Sequence, residues 1–358
     1  MNAAVKRGAA FAACLLIGLL TIAVGAWGVM ALAIAGPPSA ALRALLAAVL
    51  GAAALAALIG LVRPRRRWPL LALFLALTIA TLVWYFSLKA SNDRDWVTEN
   101  AVLPRATVDG NIVTVHNIRN FAYRTETDFT PAYYDKRFDL GQLEAVDLVA
   151  SYWMGPHIAH VFLSFAFAGG EHLAISIEAR KEKGEGYSTI NGFFRQYELH
   201  YVVADERDLI GLRTNYRQDP PEQVYVYRLK GNPDAERRVL LEYIDKINGL
   251  ATRPEFYNSL TTNCTTNIWL NAKVNADNLP FSWKILASGH VPALLYEHGR
   301  LDAQGLSLAD LQRRSLVNLR AQAAEIDADF SRRIRASAGP VPAGARVGGG
   351  NESTAMQR

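Results

Sequence analysis

The stretch "AHVFLSFAFAGGEHLAISIEAR", Ala159 to Arg180, sets the architecture of the soluble part of this chain. Two apolar-rich runs flank a Gly-Gly pair, the pattern of a β-hairpin. The odd positions are Val161, Leu163, Phe165 and Phe167 in the first run, and Leu173, Ile175, Ile177 and Ala179 in the second. One face is wholly apolar and must be buried, and residues paired across a hairpin share a face, so odd pairs with odd. A two-residue Gly-Gly loop would pair odd with even. A three-residue loop, Ala168-Gly169-Gly170, with Gly170 in the left-handed region, restores the match. It sets His160 directly opposite Glu178 on the polar face, where opposed Cβ atoms lie about 5 Å apart. A five-residue loop would instead bring Arg180 opposite His160, and ranks second.

Around this hairpin the chain alternates strands with separate helices. "RATVDGNIVTVHNI" reads as another hairpin, with Asp109-Gly110 at a type I′ turn. "AVDLVASYWM", "YELHYVVA" and "VYVYRL" read as strands. "NPDAERRVLLEYIDKINGL" carries a helix start at Asn232-Pro233. "SLADLQRRSLVNLRAQAAEIDADFSRRI" reads as one long helix opened by Ser307, and the Gly/Ala/Pro-rich tail, 336–358, reads as disordered. The reading is an α+β domain with an antiparallel sheet over residues 90–335.

Upstream, Gly8–Leu42, Ala44–Val62 and Trp68–Leu88 are free of charge. A bilayer core needs about 20 helical residues. Residues 1–89 therefore read as a membrane region with three transmembrane helices, at about 9–35, 44–62 and 68–88. "RPRRR", Arg63 to Arg67, marks the loop between the last two as cytoplasmic, and Lys6 and Arg7 mark the N-terminus likewise. Everything after Leu88 then lies outside the cytoplasm. A signal peptide cleaved before Gly36 is the competing reading of the first run, which is long for one. Residues 1–89 hold eight Lys or Arg and no acid, which leaves 30 basic against 33 acidic residues in the remainder. The domain is slightly acidic and offers no case for a nucleic-acid partner.

"YNSLTTNCTTNIW", Tyr257 to Trp269, contains one of only two cysteines; the other, Cys14, lies in the first apolar run. An exported domain with a single cysteine forms no internal disulfide, so Cys264 is free, pairs with another chain, or is used chemically. A helix starting at or just before Cys264, capped by Thr262 or Asn263, would favour the thiolate and offer backbone N–H groups to an oxyanion. The competing reading is a small buried hydrophobe. A thiol nucleophile needs a base, and the base an orienter. The hairpin register nominates His160 and Glu178 for these roles, with His157 and His172 as substitutes for the base. An exposed cross-strand pair worth ~0.2–1 kcal/mol is the alternative for His160 and Glu178. A metal site of His157, His160 and Glu178 lacks a full ligand set with zinc-type spacing, so neither metal nor cofactor is expected. Arg180, Asn263 and Thr265 are the candidate substrate-binding residues. Arg180 opens a charged loop with Lys181 and Lys183, which is either solvated or contacts a phosphate or carboxylate.

Histidine on one strand, a polar partner on the next, and cysteine at a much later helix start is the order of permuted papain-like proteins, such as the lecithin–retinol acyltransferase family. "RTETDFTPAYYDKRFDL", "ISIEARKEKGEGYS", "FFRQYELHYVVADERDLI", "LRTNYR" and "TTNCTTNI" together resemble the periplasmic domain family named after the lipoprotein N-acyltransferase Lnb, over roughly Asn92 to Arg320. The resemblance implies a permuted papain-like fold, a Gram-negative envelope protein and thiol-based acyl transfer, with Cys264, His160 and Glu178 at the family's motif positions. The namesake carries its membrane helices after the domain, whereas three precede it here. The expected function is that of a multi-pass inner-membrane protein whose periplasmic domain transfers an acyl group, with a membrane lipid or lipoprotein as donor or acceptor. An envelope thiol hydrolase and a non-catalytic binding module are the alternatives, and the oligomeric state is open. A phosphatase reporter fused after Asn92 is expected to be active and a cytoplasmic reporter silent; the reverse would invert the topology.

Overall fold

The computed structural model describes residues 3–63 and 65–336, so the expected disordered tail lies, beyond Ala336, outside the described residues. The apolar runs form α1 (Ala3–Ala35), α2 (Ala40–Leu61) and α3 (Arg67–Ser87), each long and apolar enough to cross a membrane. They approach closely where α1 carries glycine. A Cβ on Gly25 would lie 3.0 Å from the Ala54 Cβ, which no rotamer can move, so the small residue favours the close approach of α1 and α2 there.

The remainder is built on an eight-stranded sheet. Its strands are β1 (Arg105–Asp109), β2 (Ile112–Arg119), β5 (Tyr133–Asp139), β6 (Leu143–Tyr152), β7 (Ala159–Phe167), β8 (Glu171–Arg180), β9 (Glu198–Ala204) and β10 (Gln223–Arg228); β3 (Ala122–Tyr123) and β4 (Phe129–Thr130) form a separate small ribbon. The order across the sheet is β1-β2-β9-β8-β7-β6-β10, with β5 also paired to β2. The sheet is mixed, which corrects the expected antiparallel one: β2 and β9 run parallel, through Arg119↔Ala204. The long chain between these strands imposes no hairpin, so their direction is free. In the first hairpin Asp109 pairs with Ile112, which shifts the loop by one residue to Gly110-Asn111.

Between β7 and β8, Phe167 pairs with Glu171 across Ala168-Gly169-Gly170. Both glycines adopt positive φ, 80° and 81°, which glycine alone takes without cost. The odd face packs under α6 (Pro233–Thr252) and α7 (Cys264–Ala272) in the main core, with Val161, Leu163, Phe165, Leu173 and Ile175 all buried. The even face is covered too, contrary to its polar reading. There Phe162 and Ala174 join Leu209, Ile210, Val317, Ala321 and Phe330 in a second core.

The short helices are α4 (Thr189–Gly192), α5 (Glu206–Gly211), α8 (Trp283–Leu286), α9 (Val291–Glu297), α10 (Leu308–Ser315), α11 (Asn318–Ala323) and α12 (Phe330–Arg335). The last three replace the single long helix expected from Ser307. It breaks because Leu316 and Val317 join the free edge of β10: Leu316 bridges Tyr225, and the Val317 N–H donates to the Val224 carbonyl at 2.9 Å. The Asn318 side chain then bonds both Val224 N and Glu222 O, fixing the interruption.

Ion pairs are buried in the even-face layer. The Arg119 guanidinium grips the Asp208 carboxylate with Nε and Nη2, and Asp208 also accepts from the Phe121 N–H and the Tyr123 hydroxyl. Removing one partner of such a pair leaves an uncompensated charge in the interior. Asp208→Ala is therefore expected to lower the stability of the full-length protein by about 3–5 kcal/mol, read as a drop in its denaturation midpoint in detergent.

Candidate active site

Cys264 is the first residue of α7, and Asn263 caps it, accepting from the Thr266 N–H at 2.9 Å. The β7–β8 ladder ends at Leu163↔Ile175. Beyond that point the first turn of α7 lies against β7, and the backbone N–H groups of Val161 and Thr265 reach the sulfur. Burial pushes the Cys264 thiol up; the hydrogen bond and charge of His160, with those two N–H groups, outweigh it and leave the pKa below its ordinary value. Burial pushes His160 down, but the neighbouring Cys264 and Glu178 raise it to about 9. A lowered thiol beside a raised imidazole is biased toward the thiolate–imidazolium form.

His160 Nε2 lies 2.6 Å from Ser176 Oγ, and the Ser176 hydroxyl donates to Glu178 Oε1 at 2.8 Å. The direct His160–Glu178 separation is longer, 3.6 Å. A serine has one hydrogen. With that hydrogen on Glu178, Ser176 Oγ accepts from Nε2–H, which leaves Nδ1 to exchange a proton with the thiol. Arg213, on a π-helical turn (Leu212–Tyr216) after α5, donates to Glu178 Oε1 at 3.2 Å. Burial pushes the Glu178 carboxyl up; His160 and Arg213 overcome it and hold the group well below its ordinary range. Arg213 also faces Glu222 at 3.7 Å, and Glu222 accepts from Ser151 and from Arg217. The neighbouring His200, paired with Glu178 across β8–β9, is pushed down to about 3 by burial and then by Arg180, and stays neutral.

Tyr257 is buried close to the sulfur. Its phenol is raised far above the ordinary value, first by burial and then by the Cys264 charge, so it remains an O–H donor. The structure thus brings Cys264, His160 and Glu178 together and adds Ser176, Arg213 and Tyr257. Ser176 was legible in principle, since it shares strand and face with Glu178. Arg213 lay in the quoted "LRTNYR" stretch without a stated role.

The remaining candidates hold the fold. Arg180 is 2% exposed, stacks on Trp96 at 4.1 Å and donates to Asn100 O, Ala101 O and Asn92 Oδ1. It therefore clamps the linker from α3 onto β8, not a solvated loop. Asn263 is occupied by its cap and by donation to Ser259 O, and the buried Thr265 hydroxyl bonds Asn263 Oδ1 and Ile285 O. His157 bonds His290 at 2.8 Å, and His172 faces the Gly170 carbonyl.

Residues 129–289 match the family model described as the Lnb N-terminal periplasmic domain, a span that contains every residue of this site. No curated protein and no solved structure matches the chain. With three apolar helices ahead of it, the domain fits a membrane-anchored periplasmic protein. The ion pair predicts the pH dependence of thiol alkylation. The lowered thiol should make the alkylation rate of the intact protein fall at lower pH than that of an ordinary cysteine. In His160→Ala the profile should move to alkaline pH, in Ser176→Ala it should move part of the way, and in Arg180→Ala it should stay in place.

Proposed function

We propose that this chain, whose residues 129–289 match the Lnb N-terminal periplasmic domain model, is a thiol-dependent acyltransferase held in the bacterial inner membrane by three spans. Its site is read as permuted papain-like. The Cys264 thiolate attacks the carbonyl of an acyl ester, and the oxyanion takes hydrogen bonds from backbone N–H groups at the sulfur and from Tyr257. The His160 imidazolium gives its proton to the departing alkoxide, leaving an acyl thioester and an alcohol. An amine then attacks the thioester, His160 accepts the amine proton, and the thiolate leaves. Glu178, through Ser176, holds the ring in position and stabilises its charged form.

A cavity carries the choice of acyl transfer over peptide cleavage. It is an apolar pocket of about 160 Å³ lying between sheet and helices, lined by Leu163, Thr265, Ile268, Trp269, Val291 and Leu294 among others. It begins one residue after the nucleophile and follows α7. A dry apolar cavity of about 150 Å³ is large enough to bind benzene, so this one has room for several methylenes of an acyl chain. Glu236 is the one ionisable group on its wall, and burial pushes its carboxyl up to about 7, so the lining carries little charge. Anchoring by the three apolar helices supports the same reading, since it would keep the thiol near a lipid or lipoprotein donor.

The test is to incubate the membrane-embedded protein with a phospholipid labelled in its acyl chain. A hydroxylamine-labile label on Cys264 is expected, absent in Cys264→Ser. Ile268→Trp, which fills the cavity, should lower acylation at least tenfold while leaving the alkylation rate unchanged. Acylation unaffected by Ile268→Trp would remove the cavity from the reaction, and no thioester at all would leave the hydrolase or binding readings.

A further inference from the structure

We propose that Tyr187, Ile190, Phe193 and Leu260 form a surface seated in the lipid headgroup and upper acyl region of the membrane that holds α3, beside the end of α3 that carries Ser87. The proposal rests on membrane anchoring and not on the thiol chemistry. All four side chains are exposed, from 39% for Phe193 to 54% for Ile190. They come from two segments tied into one surface: the Ser259 N–H donates to Gly192 O, and the Ser259 hydroxyl to Thr189 O.

This surface is continuous with the apolar spans. Phe194 is buried with Ala31 and Tyr85, at the ends of α1 and α3. The Tyr85 hydroxyl donates to Phe193 O at 3.3 Å, and Arg195 donates to the carbonyls of Tyr85 and Leu88. The Arg195 guanidinium lies over Tyr85, Phe86 and Phe256. Phe86 is itself 65% exposed on the outer face of α3, where lipid would meet it. Arg195 takes a φ of 55°, a left-handed conformation uncommon outside glycine, and in it makes these contacts. The segment that follows β8 is therefore held against the end of α3.

Charge agrees with lipid as the occupant. "GYSTINGFFRQ", Gly186–Gln196, has one charged residue, Arg195, and "YNSLTTN", Tyr257–Asn263, has none. Exposed apolar and aromatic side chains with a cation and no acid suit the zone of phosphate headgroups and upper acyl chain. Leu260 precedes Cys264 by four residues, so the loop that leads into α7 would itself touch lipid. A lipid-borne substrate could then approach the thiol from the bilayer side without crossing water.

The test uses full-length protein carrying Cys14→Ser and Cys264→Ser, with a single reporter cysteine at an exposed position: Ile190→Cys, Leu260→Cys, Tyr187→Cys or, as control at the far end of α7, Val274→Cys. Each is nitroxide-labelled and reconstituted in nanodiscs of phosphatidylethanolamine and phosphatidylglycerol. Collision with dissolved oxygen is compared with collision with a water-soluble nickel chelate. The oxygen-to-nickel ratio is expected to be several-fold higher at 190, 260 and 187 than at 274. Ratios equal to the control would overturn the proposal, as would labels shielded from both reagents with spin–spin broadening, which would mark a second copy on this surface.

Discussion

The ladder between β7 and β8 stops at Leu163 and Ile175, and the arrangement of the site follows from that interruption. Had pairing continued, His160 and Glu178 would sit as ladder neighbours and strand partners would take up the backbone beyond Leu163. Instead the first turn of α7 meets β7 there, with the Val161 N–H on the sulfur and the imidazole beside it. The gap left between His160 and Glu178 is bridged by Ser176. One interruption in a sheet thus sets the proposed nucleophile, base and orienter, Cys264, His160 and Glu178, drawn from strands and a helix start that packing makes rigid.

The second core makes that geometry stable. Glu178 would be costly to bury alone, and Arg213 offsets its charge, balanced in turn by Glu222 and Arg217. The same layer contains Arg119–Asp208 and Arg335 with Glu206 and Asp147. Buried ion pairs add little net stability over an apolar packing, but breaking one is expensive. Their effect here is to hold α5, the π-helical turn and α12 in one register against the sheet. The carboxylate behind the histidine is thereby anchored from the helical layer as well as from its own strand.

Two contacts relate the site to the spans. Arg180 fastens β8 to the linker that leaves α3, and Arg195 fastens the segment after β8 to the end of α3. Both arginines bond backbone carbonyls, which fix position whatever the neighbouring side chains. The domain is thereby coupled to the apolar helices through the same strand that carries Ser176 and Glu178.

Much of this was legible locally. Charge-free runs of membrane length, the Gly-Gly loop with its parity constraint, and the Asn-capped helix start at Cys264 are short-range patterns, set by backbone conformation and side-chain period. They sufficed to nominate Cys264, His160 and Glu178; the Lnb-type domain was indicated by the resemblance of longer motifs, among them "RTETDFTPAYYDKRFDL" and "TTNCTTNI". What they could not supply involves residues far apart in the chain. The parallel contact of β2 with β9 depends on how two separately built hairpins meet. The break at Leu316 and Val317 depends on a free edge at β10 that no helical period reveals. Arg180, read as a loop charge, is a clamp because Trp96 and the Asn100 carbonyl come to it from another part of the chain. Arg213 stabilises Glu178 because a second layer of helices folds onto a face that alternation alone had marked as polar. Period and parity determined which side chains share a face; only tertiary packing decided what covers that face and which charges meet there.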